Sequence, residues 1–499
     1  MVHELKILGI TYGKTNEDIL SKNIRSIIPK IKNEIAQWQR RHLSFIGKIT
    51  VIKSLLMSKF VHIFTALPNP EERTIKEINS ILFRFIWNNG PDKIKRSVVV
   101  QDYHEGGLRM IDIRSFTLSL KTTWLKRLYW APENTAWAKL ARKILPDIEK
   151  LVCYSSTKLK NVANGIKNKF WKDVIHAWSQ FCKAYVPSKE EVLTDLLWFS
   201  DNTKYKNSIV KAWNSKGFRF ISDVFNVNDG SLLSKEVISS AYHIKMTFLC
   251  YRSLVKSLPF NHAISTEDDS VRVRHPIMPF KISFLSKKIQ LSKKVYSTLV
   301  KTLRVNNPTA VSKQETKWIR DVGQMYEGTL HDIRSATKNT YLHALHYKII
   351  NRIVATRTFL YRIGRAENTT CTLCGQENET LLHAFYSCEK IQRFICELKC
   401  HVLSNYDIEL TTISKHWFFP QRDTETKIEI LLKLIAKYTI MRSRTLNRQP
   451  DIELFTALLK EEALKEKGAA IRSRTNNKFE NKWGNVISVL QNTNTDAQT

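Results

Sequence analysis

Four residues in the carboxy-terminal half of the chain have the spacing of a metal site. Cys371-Thr372-Leu373-Cys374 is followed by His383 and Cys388, giving C-x2-C-x8-H-x4-C. Two cysteines separated by two residues make a tight knuckle that offers two thiolates to one cation. The later histidine and cysteine complete a tetrahedral shell. The expected ion is a structural Zn2+, because four protein ligands leave no open position for water or substrate and so argue against a catalytic metal. Cys396 and Cys400 lie one helical turn apart beside His401. A second metal site needs more ligands than these, so they are expected as buried thiols.

Charge narrows the partner. The 499 residues carry 79 Lys+Arg against 46 Asp+Glu, a formal net charge of 79 − 46 = +33. Such an excess repels itself, whereas against a polyanion it becomes affinity through release of condensed counterions. Membrane-surface binding would call for a polybasic block beside an apolar or lipidated segment, and the sequence has neither. No signal pattern and no apolar run of spanning length is seen, so no membrane association is expected. Three of the eight cysteines sit in the metal-spaced cluster, which suits a reducing compartment, nuclear or cytoplasmic, rather than a disulfide framework.

The elements that must position these residues read as helices. Gly (15) and Pro (13) are scarce, which favours long helices over many short strands. A short strand is expected over 5–11. Ile19, Leu20, Ile24, Ile27, Ile28, Ile31, Ile35 and Trp38 recur at helical spacing over 18–40, with Pro29 expected to kink or split the run. A second helix is predicted over 44–60 and ends at Leu67-Pro68-Asn69-Pro70. A third runs from about 71 to Trp87 and stops at Asn88-Asn89-Gly90-Pro91. Ser97-Val98-Val99-Val100 reads as strand-like, Gly106-Gly107 as a turn, and 112–129 as a helix. Over 131–336 the aromatic residues Phe170, Trp171, Trp178, Phe181, Trp198, Phe199, Trp213 and Phe218 imply a packed helical connector. Residues 265–279 read as an exposed loop. Lys287, Lys288, Lys293 and Lys294 read as a solvated face over Leu291, Val295 and Leu299. Helices follow residue 422, and 492–499 read as a polar end.

In order along the chain stand Leu8-Gly9-Ile10, Asn23, Trp38, Leu43-Ser44-Phe45-Ile46-Gly47-Lys48-Ile49 with Lys53, Leu67-Pro68-Asn69-Pro70, Phe85-Ile86-Trp87, Glu105-Gly106-Gly107-Leu108 and Trp124. This series resembles the reverse transcriptases of non-LTR, LINE-type retrotransposons. So does a second block, Asn339-Thr340, Tyr347-Lys348-Ile349-Ile350, the Cys/Cys/His/Cys cluster, and Glu379-Thr380 ahead of His383. The resemblance implies a helical thumb that follows the polymerase palm, and a carboxy-terminal CCHC zinc-binding region. The expected fold is mainly α, with a thumb-like domain over 1–131, a helical connector over 132–336, basic helices plus the zinc domain over 337–445, and further helices with a polar tail over 446–499.

The family is an RNA-directed DNA polymerase, whose paired aspartates hold two metal ions at the growing end. Those aspartates precede the stretch that matches here. Thr266-Glu267-Asp268-Asp269 and Phe199-Ser200-Asp201-Asn202 lie on the wrong side of the thumb-like region and lack the motif. Pro450-Asp451-Ile452-Glu453, a faint echo of a nuclease signature, is better explained as a helix start with acids in its first turn. No catalytic residue is expected, and the chain as it stands is not expected to be an enzyme. The expected role is binding RNA, and DNA or an RNA–DNA hybrid, as in a retrotransposon remnant or a partial reading frame. The alternatives are a portion of an active polymerase that extends upstream of Met1, and a zinc-stabilised protein-interaction module.

Two basic sets are the candidate contacts. Lys48, Lys53, Lys59, Arg84, Lys93, Lys95 and Arg96 in the thumb-like region could follow a phosphate backbone. Between 338 and 366, Lys338, Lys348, Arg352, Arg357, Arg362 and Arg365 occur with no acid, interleaved with Tyr341, His343, His346, Tyr347 and Tyr361. Charges beside rings suit single-stranded RNA, which offers phosphates and unstacked bases. Trp38, Trp87 and Trp124 fall on apolar faces and are expected to pack in the core.

Overall fold

The computed structural model describes residues 5–197, 207–226, 230–258, 278–305, 309–323 and 329–492. The fold is mainly α, as expected. Trp198, Phe199, the acidic runs at 199–202 and 266–269, most of the loop over 265–279 and the tail from 493 lie outside the described residues. The chain forms two compact units, each gathered from separate stretches. The first comprises Met1–Asn33, Leu55–Ser80 and Ile111–Leu303; the second comprises Glu34–Ser54, Ile81–Met110 and Arg304–Thr499. The sequence suggests successive domains, whereas contacts group segments far apart in the chain.

In the first unit the expected single strand is a two-stranded antiparallel hairpin, Leu5–Ile7 with Ile10–Tyr12. Leu8 (φ +47°) and Gly9 (φ +81°) both take left-handed backbone at the turn, the geometry that lets a two-residue loop follow the strand twist. Asn23 fastens the hairpin to the helix Asn16–Gln39. Its Nδ2 donates to Thr11 O (2.8 Å) and its Oδ1 accepts from Thr11 N (2.9 Å). That helix continues through Pro29 as one element, so of the expected kink or split the split does not occur. The main core packs the helices Ile113–Trp130, Ser156–Gly165 and Lys169–Ala184 around Leu125, Trp171, Trp178, Phe181, Phe284 and Val295. Leu291, Val295 and Leu299 are buried beneath exposed Lys287, Lys288, Lys293 and Lys294, as the periodicity predicts. A satellite cluster forms around Trp213, Phe218, Val224, Ile238 and Leu254.

The second unit is built on the helices Thr340–Ile350, Glu389–Tyr406, Lys427–Thr445, Ile452–Ser473 and Asn476–Asn492. The short helix Phe45–Val51 packs against Thr340–Ile350, with the Phe45 ring 5.5 Å from Trp87 and 5.7 Å from Tyr347. Asp451 caps Ile452–Ser473, its Oδ1 accepting from Leu454 N at 2.7 Å, which accounts for the Pro450-Asp451 pair. Ser97–Val100 is not a strand. Residues Arg96–Val99 form one helical turn, with Val99 and Val100 buried, so tertiary burial overrides the β preference of the valines. Among the described residues no single helix is long and apolar enough to cross a membrane. A bent pair, Phe45–Leu56 with Ser58–Ala66, meets that test by length and composition only.

Candidate metal centre and basic surface

The four metal-spaced residues come together. One ligand atom from each of Cys371, Cys374, His383 and Cys388 lies within 4.8 Å of the others. A tetrahedron with zinc–sulfur bonds of about 2.3 Å has edges of about 3.8 Å, so the cluster is about 1 Å from the closed geometry. Cys371 (2%), His383 (3%) and Cys388 (0%) are buried. The knuckle is held by its own backbone. Gly375, at φ +72°, donates to Cys371 O at 2.9 Å; Cys371 N donates to Glu377 O at 2.8 Å; and Leu373 N points at Cys371 Sγ at 3.4 Å. Glu379 N to Thr369 O (2.8 Å) extends this into a small ribbon. His383 opens a π turn, His383–Ser387, and Cys388 occupies the N-cap of Glu389–Tyr406.

The electrostatics suit a cation. Burial pushes the Cys374 thiol up, but the N–H groups of Glu377 and Gln376 and the contact with His383 outweigh it and bring the thiol down to about 6. Burial raises Cys371 and Cys388. The N–H groups of Leu373 and Cys374 at the first, and of Ile391 and Lys390 at the second, oppose that rise. Donors and a helix amino terminus favour thiolate, and a coordinating metal would deprotonate all three. His383 Nε2 faces Cys374 Sγ at 3.4 Å. Its Nδ1 makes no well-aligned hydrogen bond, although Glu377 Oε2 lies 2.9 Å away. A carboxylate there can orient the ring so that Nε2 is the ligating atom. The ribbon is anchored from below by Glu379 (1% exposed), which pairs with Arg444 and accepts from Arg357 N at 2.8 Å. Cys396 and Cys400 take no part in the cluster. Both are exposed rather than buried thiols, and that expectation is corrected: they lie on the outward face of Glu389–Tyr406, whose buried stripe is Ile391, Phe394, Ile395 and Leu398.

The ten strongest candidate cations, from Lys48 to Arg362, all fall in the second unit with the cysteine cluster, but they are not equivalent. Lys48 is only 3% exposed. Its ammonium donates to Phe85 O (3.0 Å) and to Asn88, closing the end of the helix Glu72–Ile86, and burial lowers its pKa. Its placement as a phosphate contact is therefore corrected. Arg352 stacks 4.0 Å from the Trp318 ring and pairs with Asp321 at 2.5 Å. The acid missing from 338–366 is supplied by another segment, so this guanidinium is already engaged. Arg357 is half-buried, with its main chain on Glu379. Arg96 pairs with Asp92 at 2.8 Å and covers Phe83.

Arg84, Lys93, Lys95 and Arg362 are exposed. Lys348 is half-buried, and its pKa is lowered by burial and then by Lys93. A loop cation of the first basic set is thus within electrostatic reach of a helix cation of the second. Lys53, exposed, is lowered by burial of its ammonium, then by Arg109 and Arg334, against a raising effect of Asp102. Spacing gives no hint of Arg109 or Arg334. Of the interleaved rings, Tyr341 (48%) and Tyr361 (53%) are exposed, whereas His343, His346 and Tyr347 are core residues. Trp87 is buried, while Trp38 and Trp124 are half-buried. Arg41 lies 4.7 Å from the Trp38 ring, and Trp124 packs on the first unit's core. No protein-family model matches the chain.

Proposed function

We infer that the chain binds nucleic acid, RNA first, and that zinc in the Cys371/Cys374/His383/Cys388 cluster holds the binding surface in shape. The observation that carries this reading is two guanidiniums laid on one ring in the second unit, Arg109 at 4.7 Å and Arg334 at 4.0 Å from Tyr103, with Lys53 in electrostatic reach of both and of Asp102. Like charges held within reach of one another destabilise a free protein and become favourable against a phosphate backbone. Exposed Tyr341 and Tyr361 add rings on which unpaired bases can stack. Zinc is preferred over other cations because three thiolates and one imidazole within about 1 Å of tetrahedral separation match its ligand preference.

The resemblance to LINE-type reverse transcriptases supports the same reading. On it, this stretch supplies the grip of a thumb and the RNA contacts of the zinc region, and contributes no chemistry to phosphodiester formation. The test is a salt titration of binding to single-stranded RNA, DNA duplex and RNA–DNA hybrid. A log–log slope reporting several released counterions is expected; no affinity for any of the three at low salt overturns the reading. A second reading, a zinc-stabilised protein-interaction module, draws on Tyr361 and Ile363, which are 53% and 47% exposed just before the zinc ribbon. It gains if RNA affinity is absent while Tyr361→Ala leaves the fold intact and abolishes capture of a protein partner.

A further inference from the structure

The turn Tyr103–Glu105 packs against the helix Thr329–Ala336 within the second unit. Two glycines shape the loop that follows. Gly106 takes φ +77°, and Gly107 lies so near the Gln101 carbonyl that a Cβ there would sit 2.1 Å from its oxygen. The tight return delivers Arg109 to Asp102, with Nε and Nη2 each donating at 2.9 Å. The Arg109 guanidinium lies 4.7 Å from the Tyr103 ring centre, and that of Arg334 lies 4.0 Å from the same ring. His104 and His331 stack beside them, centroids 4.4 Å apart. Lys53 stands within electrostatic reach of both arginines.

Asp102, Glu105 and Asp332 stand on or beside these two elements, and Asp102 also acts on Lys53, but the ion pairs among the described residues do not engage every cation. Arg109 and Asp102 satisfy each other. Asp332, on the same helix as Arg334, already accepts from Arg422 N at 3.1 Å and lies 3.6 Å from His331 Nδ1. Lys53 and Arg334 have no carboxylate partner among the described residues, and Arg334 Nη1 is buried with no acceptor. A buried donor left without an acceptor is unfavourable, and mutual repulsion of the cations adds to it. Such an arrangement is characteristic of a site that an anion completes. A guanidinium laid on an aromatic ring is also held flat, the posture in which its N–H fork meets oxygens.

We propose that Lys53 and Arg334, framed by Tyr103, by Arg109 held on Asp102 and by the stacked His104 and His331, form a seat for one phosphodiester group of a bound nucleic-acid strand. The proposal rests on the nucleic-acid reading above and adds to it a location and a chemistry. A phosphodiester presents two anionic oxygens, one for a guanidinium and one for an ammonium. Contact of this kind fixes the position of the strand and reads no base.

Two measurements on the full zinc-loaded chain test it. In the first, Lys53 is acylated by an amine-specific reagent with and without a single-stranded RNA, and read by peptide mass spectrometry. RNA is expected to suppress acylation at Lys53 several-fold and leave exposed Lys399 unchanged. In the second, Lys53→Gln and Arg334→Gln are each expected to weaken RNA binding about 3- to 10-fold near ~0.1 M salt and reduce the log–log slope by about one, with Lys53→Arg restoring both. Protection in the wild-type chain keeps the proposal testable should Arg334→Gln fold poorly. If the wild-type chain binds RNA but Lys53 is unprotected and Lys53→Gln keeps the full slope, the seat is refuted and the nucleic-acid reading survives. If inorganic phosphate alone protects Lys53 fully while Lys53→Gln leaves the RNA slope unchanged, the site serves free phosphate and the proposal is overturned. If no RNA binds at any salt, both fall.

Discussion

The two units use their basic residues differently. In the first, long cations are turned inward onto the main chain. The Lys121 ammonium, fully buried, donates to the carbonyls of Phe64 and Leu67 at the end of Ser58–Ala66. Lys126 reaches Ile289 O at 2.6 Å, and Lys281 pairs with Asp195 at 3.1 Å. In the second, Lys48 and Arg444 are turned inward in the same way, but Lys53, Lys93, Lys348 and Arg334 are set against other cations. A net charge of +33 therefore overstates the surface available to a polyanion. The informative quantity is which cations face other cations instead of an acid or a carbonyl. Lys93, Lys348 and Arg334 do so, Lys53 faces Arg109 and Arg334 as well as Asp102, and all four lie in the unit that holds the cysteine cluster.

The comparison is broken most severely by removing the metal. Structural zinc contributes on the order of 10 kcal/mol in small zinc domains. Metal analysis should find one zinc per chain, lost on Cys374→Ser or chelation. Hydrogen exchange should then accelerate over 366–400 by orders of magnitude, while Lys169–Ala184 in the first unit keeps its protection. Acceleration in both would mean that the units do not differ in their dependence on the cluster; wild-type protein without zinc would refute the site.

Next comes the support of the ribbon. Glu379→Gln removes the charge that Arg444 and Arg357 N share. Breaking a buried pair from one side leaves an uncompensated ion, at a cost of about 3–5 kcal/mol. Denaturant unfolding of the second unit should show that loss with zinc content unchanged. Loss of zinc together with stability would make Glu379 part of the metal centre rather than its anchor.

What the sequence disclosed follows from how local each feature is. The four ligands were legible because a knuckle needs two cysteines at fixed short spacing, and the helices were legible from their apolar period. Lys48 was misplaced because a helical lysine flanked by Ile46 and Ile49 gives no sign that the end of another helix will receive its ammonium. Arg352 reads as free in the sequence because its acid, Asp321, stands outside the acid-free stretch 338–366. The Lys53, Arg109 and Arg334 cluster was invisible for the same reason: its members lie on three segments as far apart in sequence as 53 and 334, and only Gly106-Gly107 marked the turn that delivers one of them.

A smaller effect separates the inward-facing lysines from the surface. Lys121→Met leaves two carbonyls of the first unit without a donor, about 1–3 kcal/mol, and should leave RNA affinity unchanged. Its pH dependence is the sharper check. Burial lowers the folded-state pKa of Lys121 to about 7, against a coulombic rise from Asp173, far below the unfolded value near ~10.4. Between those values the unfolded chain binds the extra proton, so this group makes stability rise with pH, by at most about 1.4 kcal/mol per unit. The wild-type advantage over Lys121→Met should therefore grow from about pH 7 toward pH 10; a pH-independent difference would mean that Lys121 stays charged when folded.

The smallest effects are expected at the surface itself, and they decide whether the two basic sets act as one. Lys93 and Lys348 come from segments more than two hundred residues apart, yet Lys93 lowers the pKa of Lys348. If one strand passes both, Lys93→Gln and Lys348→Gln should each reduce the salt slope of RNA binding by about one and weaken it by a few-fold, uniformly across sequences. The double variant should then weaken binding by less than the product of the two, because each substitution relieves the repulsion felt by the remaining lysine. Strict multiplicativity would place the two lysines on different stretches of RNA. Unchanged slopes in all three variants would remove this patch from the interface, and with it the main reason for preferring the second unit over the first as the binding surface.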